Sequence, residues 1–565
     1  MIRPLAIVSM LGALLAGCPA APTSSSTQTK PRAIDPTPDS RPRLVVVVVV
    51  DQFPEWSFER KRTALTGGFA RLLAEGEWRV GHHPSGATIT ASGHALIGTG
   101  ETPSKSGILA NEWWSRDQDR AVKAVEPDDQ TKWLRVPGLG DAIAATNTPA
   151  SIDATKSPAA RTPKPAAKAV AVALKDRAAR LLLGHRGLAV WYDASTGTWA
   201  SSGDAVGKFA HEPVHPVTTA ESAATDPRPP WIRAMTPPSK RLAPWTPLDA
   251  DRLAKLSGVA DAQPGEVGEK GFGPTFPHEP TTVAKYNDAV FALPLGNEVV
   301  LDAALAAIDG ENLGADHVPD LLFVSLSAHD YIAHGWGHES WEAWDSELRL
   351  DAQLDHFLAE LDRRVGEGRW AMILTSDHGG APMPETNGGG RYTVEQIKSA
   401  ANLAATTVLG TGNWIANAQY PYVYLSKAAL AQPRSELKNA LKKIVFALKS
   451  FPGLGVADRT DAFAGRCDER TGDAKALCLM IDPERAGDFI YLPGPGWIME
   501  EEDERLATAH GSLNDYDREV PVLLLPWGRT KHAPADAPGE KIDLGELAPL
   551  IASWLGVPSP TTLTR

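Results

Sequence analysis

Cysteine is scarce in this chain, with three residues in 565. No two of them are spaced as C-x-x-C, so a zinc–thiolate site built on that motif has no support. Positive charge is also short: 56 Lys and Arg stand against 69 Asp and Glu, a formal net charge of −13. The basic face of a general nucleic-acid binder is therefore missing. An anionic substrate remains compatible, provided its counter-charge is local, from a metal ion, Lys or Arg. Long apolar runs are lacking too. Leu5–Ala16 is too short for a membrane span, and no later stretch is long enough. No internal repeat is found.

What is present supports a large core: 43% of residues are hydrophobic and 22% charged. Large α/β domains with insertions reach this length. Met1-Ile-Arg-Pro followed by the Leu5–Ala16 run has the layout of an export signal. Leu15-Ala16-Gly17-Cys18 is similar to a bacterial lipobox, so residues 1–18 read as a lipoprotein signal with lipidation at Cys18. Residues 19–42, rich in Pro, Ser and Thr, read as a flexible tether. The expectation is an exported protein, periplasmic or at the cell surface, that meets the membrane only through that lipid. Cys467 and Cys478 stand eleven apart; in an exported chain a local disulfide is expected, two free thiols being the alternative.

Leu44–Val50 is an unbroken aliphatic run ending at Asp51. Six consecutive valines suit a parallel strand buried on both faces, with Asp51 just past its carboxyl end, where open α/β sheets bind ligands. Leu321–Ser327 repeats the pattern and runs into His329-Asp330 and His334; Trp370–Thr375 runs into Asp377-His378. Further strands are expected at Val170–Leu174, Leu188–Tyr192 and Val520–Leu525. Helices are expected at Phe69–Glu75, Ser340–Val365, Leu437–Lys449 and Leu544–Leu555. Residues 145–168 read as a surface insertion, 213–285 as a Pro-rich cap and 381–395 as a Gly-rich loop. Continuing the strand at 170–174 puts Ala171, Ala173, Lys175 and Arg177 on one face, a paired cationic clamp; a helix there would separate the two charges into solvent.

Gly86–Gly100 centres on Thr90, whose hydroxyl needs a base or a metal to lose its proton. The plain alternative is a Thr/Gly-rich loop leading into a helix at His94–Thr99, with Ser92 as its N-cap. Asn111, in Gly107-Ile-Leu-Ala-Asn111, is either a turn former or a neutral donor folded back toward Thr90. Three strand ends deliver Asp51, then Asp330 and His334, then Asp377 and His378, and His510 joins from a loop. Mixed Asp/His sets suit Zn2+, and two such ions about 4 Å apart form a clamp for in-line displacement at phosphorus.

These stretches resemble the alkaline phosphatase superfamily, and within it the PafA-like bacterial periplasmic phosphatases with a threonine nucleophile, relatives of the type I phosphodiesterases/nucleotide pyrophosphatases. The resemblance rests on Val50-Asp51-Gln52, Thr90-Ala-Ser-Gly-His94, Gly107–Asn111, Lys175-Asp-Arg177, Asp330–His334, Ser376–Gly379, Gly487–Leu492, Pro495–Trp497 and His510-Gly-Ser512. It implies a mostly parallel central sheet flanked by helices, in an α/β domain over about 43–560 with a cap insertion at about 115–315. It also implies two zinc ions, one held by Asp51, Thr90, Asp377 and His378, the other by Asp330, His334 and His510. Asn111, Lys175 and Arg177 would take the non-bridging phosphate oxygens. Two positions depart from the pattern: Ala333 where the family commonly has Gly, and Ser92 where it often has Pro.

The function so implied is a zinc-dependent alkaline phosphatase that hydrolyses small phosphate monoesters through a phosphothreonine, with no dedicated nucleic-acid partner. A phosphodiesterase of the nucleotide pyrophosphatase type shares the ligands and the threonine. A sulfatase is set aside by the lack of a Cys/Ser-x-Pro-x-Arg stretch. A reading of another class is an inactive envelope lipoprotein that binds phosphorylated ligands.

Overall fold

Leu44–Val50 is buried along its whole length because it lies at the centre of a ten-stranded sheet. In the computed structural model, residues 41–126, 131–147, 165–202, 213–214, 226, 228–503 and 505–563 are described. The expected signal with Cys18, the tether as far as residue 40 and most of the 145–168 insertion lie outside the described residues. The strand order is Gly539–Asp543, Glu77–His82, Glu519–Leu525, Trp370–Thr375, Leu44–Val50, Asp320–Leu326, Ala169–Ala173, Leu188–Asp193, Thr198–Ser202 and Pro213–Val214. From Trp370–Thr375 to Leu188–Asp193 neighbouring strands are parallel. Their registers are aligned, Val49 opposite both Thr375 and Ser325. The residues following these strands therefore collect along one edge.

The valine run divides between two cores. Val46, Val48 and Val50 pack with Phe69, Val300, Trp344 and Leu354, from helices Gly68–Glu75, Leu295–Glu311 and Trp341–Leu361. Val45, Val47 and Val49 pack with Leu96, Leu182 and Ile551, from helices Thr90–Thr99, Asp176–Leu183 and Leu547–Leu555. Each fully buried side chain contributes about 1.5–3 kcal/mol of transfer free energy. This is the helix–sheet–helix layering of an alkaline-phosphatase-like fold.

Several boundaries differ from the sequence reading. The long helix starts at Trp341, capped by Ser340, whose side chain accepts from the Ala343 N–H; its regular part ends at Leu361. Within the stretch expected as cap, Ala169–Ala173, Leu188–Asp193 and Thr198–Ser202 join the central sheet. Another part of it packs against helix Ala328–Trp336, where the N–H groups of Val267 and Gly268 donate to the Gly335 carbonyl. The loop expected at 381–395 contains a short helix, Pro384–Asn387, and a strand, Gly390–Thr393. A second, four-stranded sheet is built from Ile415–Gln419, Tyr422–Leu425, Phe489–Pro493 and Leu454–Arg459, with helices Val394–Leu409 and Arg434–Lys449 beside it. Cys467 and Cys478 are joined as a disulfide. Among the described residues no single helix is long and apolar enough to cross a membrane.

Candidate active site

Asp51, Asp377 and His378 are fully buried. The Nδ1 of His378 lies 2.9 Å from the Gly379 carbonyl oxygen. A carbonyl only accepts, so Nδ1 carries the proton and Nε2 keeps its lone pair. That Nε2 is 3.5 Å from Asp51 Oδ1 and 3.4 Å from Asp377 Oδ2. All three atoms are buried without a hydrogen-bond partner. Three converging acceptors with no donor among them are costly in a protein interior; a cation at their centre removes the cost, and the N/O donor set suits zinc.

A second group lies beside the first. Asp330 and His334 are one turn apart on helix Ala328–Trp336, so both face the sheet edge. His334 Nε2 is 3.2 Å and His510 Nε2 3.7 Å from Asp330 Oδ1. Each imidazole again gives Nδ1 to a carbonyl, His334 to Thr508 at 2.8 Å and His510 to Thr88 at 2.7 Å. The His510 ring stacks on His378 with centroids 3.7 Å apart, linking the two groups. Among the described residues, two sets place their ligand atoms within 4.8 Å of one another: Asp330, His334 and His510, and Asp51, Asp330 and His378. Asp330 thus reaches both groups, which the sequence reading assigned to one.

The charges are unevenly held. Burial, then Asp330 and Asp377, push the Asp51 carboxyl above the usual range. Burial pushes Asp330 up as well, but Lys175 and then His334 outweigh it and hold Asp330 well down. Burial disfavours the His334 cation, yet Asp330 raises it to about 9. Burial lowers His378 to about 4. It also holds His510 far below the ordinary value, helped by His378 and His334.

Thr90 is the first residue of helix Thr90–Thr99, after Ile89, and not part of a loop before it. Ser92, expected as a possible cap, lies inside the helix and donates to the Ile108 carbonyl. The helix is buried all round, which its Gly, Ala and Ser positions permit. Asn111 does fold back: its Oδ1 accepts the Ala91 N–H at 3.0 Å, holding the helix start. His94 Nδ1 is 2.9 Å from the Thr90 carbonyl and 3.0 Å from Asp377 Oδ2, and His94 Nε2 is 2.9 Å from Ser325 Oγ. Burial opposes the His94 cation, but Asp377 wins and its pKa is raised.

Lys175 and Arg177 correct the strand reading. The strand ends at Ala173, Lys175 is the extended residue before helix Asp176–Leu183, and Arg177 is inside that helix. Leucines 181–183 need a helix to reach the core, and that overrides the alternation at 171–177. Lys175 Nζ lies 2.6 Å from both Asp51 Oδ2 and Asp330 Oδ2, so its charge is committed to the two carboxylates. Arg177 forms no ion pair among the described residues, and its Nε is buried without a partner. Burial opposes its charge, but Tyr331 and Asp176 outweigh that and its pKa is raised.

Residues the sequence reading left without a role support the site. His329 Nδ1 lies 3.1 Å from the Asp51 carbonyl, and its Nε2 3.2 Å from Glu347, which takes Lys61 Nζ at 2.5 Å. Gln52, its amide turned to satisfy its neighbours, donates to Asp330 Oδ1 at 3.0 Å. It does so from a φ of 56°, a left-handed backbone rarely seen outside Gly, Asn and Asp. The adjacency of His329 to Asp330 and of Gln52 to Asp51 was the signal in the sequence for this; nothing there pointed to Glu347 or Lys61.

Sheet and site together define an alkaline-phosphatase-like hydrolase of phosphoryl groups. Residues 45–513 match the type I phosphodiesterase / nucleotide pyrophosphatase family, and the chain belongs to it. It is 29% identical to alkaline phosphatase PafA of Elizabethkingia meningoseptica, over 92% of this chain and 93% of that one. It is 28% identical to alkaline phosphatase PhoV of Synechococcus elongatus, over 95% of each. The crystal structure of wild-type PafA superposes with a TM-score of 0.76 at 26% identity, over 92% of this chain and 96% of PafA.

Proposed function

We propose that the protein is a zinc-dependent phosphomonoesterase that works through a phosphothreonine at Thr90. Asp51, Asp377 and His378, with Thr90, would hold one zinc ion, and Asp330, His334 and His510 the other. Bound zinc supplies positive charge that lowers the pKa of a hydroxyl or water and offsets charge on the phosphoryl oxygens. Thr90 Oγ1 attacks phosphorus in line as the bond to the leaving oxygen breaks, and water then cleaves the Thr90 phosphate ester. Asn111, already fixed to the Ala91 N–H, orients the non-bridging oxygens.

The monoester reading is carried by Arg177, a half-buried arginine without an ion pair among the described residues, whose Nε is buried without a partner and whose charge reaches Asp51 and Asp330. A monoester dianion offers two negative charges and three free oxygens to a planar fork of donors; a diester offers one charge and a bulky substituent. Lys175 contributes by holding Asp51 and Asp330. The diesterase reading is favoured by the family's description. Export and lipidation at Cys18 are part of the proposal and rest on the N-terminal sequence alone.

The test compares rates on an aryl phosphate monoester, its diester and an aryl sulfate, before and after chelation, in wild type and in Arg177→Ala. Monoester hydrolysis should dominate, vanish on chelation and fall by about two orders of magnitude or more in Arg177→Ala while diester hydrolysis is spared. Lys175→Ala, which frees two metal-ligand carboxylates, should lower both. Equal loss on both esters in Arg177→Ala would transfer the assignment to the diesterase. No turnover of any ester by zinc-loaded protein would support the inactive lipoprotein.

A further inference from the structure

His378 and His510 sit on separate loops, and one residue, Asp517, is bonded to both. Strand Glu519–Leu525 runs antiparallel to Trp370–Thr375, so the residues before the one lie beside those after the other. The pairing continues past the strands: the Gly379 N–H donates to the Asp517 carbonyl at 2.8 Å, and the Gly380 N–H to the Tyr516 carbonyl at 2.9 Å. A Cβ on Gly379 would overlap the Tyr516 carbonyl oxygen, so the approach is backbone against backbone. The Asp517 side chain turns to the other loop. Its Oδ2 accepts the Ser512 N–H at 2.8 Å and the Ser512 hydroxyl, two residues past His510. Both side chains are buried. Ser512 Oγ is pinned in turn by Asn514, whose N–H and side-chain amide donate to it at 3.1 and 2.8 Å. The groups that act on the Asp517 carboxylate are the Ser512 hydroxyl and the N–H groups of Ser512 and Gly511, with no cation among them. A buried carboxylate served by one loop alone is tied to that loop.

We propose, on the two-metal reading of the site, that Asp517 is a positioning residue for phosphoryl transfer. It fixes the His378 loop and the His510 loop to each other and so sets the spacing of the two metal groups. The two imidazoles stack with centroids 3.7 Å apart. Stacking tolerates lateral offset, whereas hydrogen bonds are directional, so the lateral hold comes from Asp517. In-line displacement between two ions needs both placed closely, and an error of about 1 Å costs about 100-fold in rate. Asp517 acts through the backbone of the neighbouring loops and not on the phosphoryl group.

The test loads the full-length protein with Co2+ in place of zinc and compares wild type with Asp517→Ala, Asp517→Asn and Ser512→Ala. Visible absorption reports coordination, competition with a chelator reports affinity, and an aryl phosphate gives kcat and KM. Wild type should take up two cobalt ions. In Asp517→Ala one of them should bind about tenfold more weakly or worse, with a shifted absorption band. Its kcat should fall by about tenfold or more with KM little changed. Asp517→Asn keeps an oxygen for Ser512 and should stay close to wild type on every readout. Ser512→Ala leaves Asp517 in place and should show the same shift in smaller measure, which keeps the test open where Asp517→Ala does not fold. The proposal is overturned if the folded variants keep the wild-type spectrum and kcat, or if asparagine restores nothing over alanine. Uptake of fewer than two cobalt ions by wild type would overturn the two-metal reading and the proposal with it.

Discussion

Gly93 lies directly against Asp377. A Cβ placed on Gly93 would be 2.8 Å from Asp377 Cβ and closer still to the Asp377 carbonyl oxygen. The absent side chain is what lets the Thr90 helix reach the loop that carries Asp377 and His378. Gly93→Ala is therefore expected to push helix and loop apart, at about 1–3 kcal/mol of stability, with turnover falling more than tenfold. Thermal melts and rates on an aryl phosphate check it. Wild-type activity in a fully folded variant would show that the contact does not set the site.

Thr90→Ala removes the hydroxyl proposed to attack phosphorus and leaves the Asp and His donors in place. It should keep its metal content and lose nearly all turnover, while Thr90→Ser should keep part of it. Elemental analysis and single-turnover kinetics separate the outcomes. Substantial activity in the alanine variant would exclude Thr90 as nucleophile.

His378→Ala and His334→Ala each remove an Nε2 from one cluster, and each should lose metal and activity together. His94→Ala should act less strongly. It takes away a group 3.0 Å from Asp377 Oδ2 and leaves all proposed ligands, so zinc affinity should drop about 10–100-fold. Titration against a competing chelator measures this; unchanged affinity in His94→Ala would reduce His94 to a packing residue.

Glu342 offers a pH test remote from those ligands. Its side chain is fully buried, Oε1 is 3.0 Å from His278 Nε2, and burial, then Glu266, push its carboxyl up to about 10. Unfolded, it ionises near pH 4.5. Between these values the unfolded chain binds fewer protons than the folded one, so stability falls as pH rises, by up to about 1.4 kcal/mol per unit. Glu342→Gln removes that slope. Its melting temperature should exceed wild type at pH 9 and approach it near pH 4.5. A constant offset across the range would refute the assignment.

Long aliphatic runs were readable because a strand buried on both faces leaves no room for polar residues. Leu44–Val50, Asp320–Leu326 and Trp370–Thr375 lie within a residue of where the sequence places them. The four-stranded sheet escaped notice: its strands are short, and Ile415-Ala-Asn-Ala-Gln419 alternates weakly.

The sequence alone determined which acids and imidazoles come together, since Asp51, Asp330 and Asp377 each follow a buried run and parallel strands bring their carboxyl ends to one edge. Only the tertiary structure decided how those groups are held. Lys175 meets Asp51 and Asp330 from 124 and 155 residues away. His94 meets Asp377, and Lys61 supports His329 through Glu347. Strand burial is a local property, written in neighbouring residues. The partner of a buried charge is settled by whichever chain segment packs beside it, and no spacing along the chain records that.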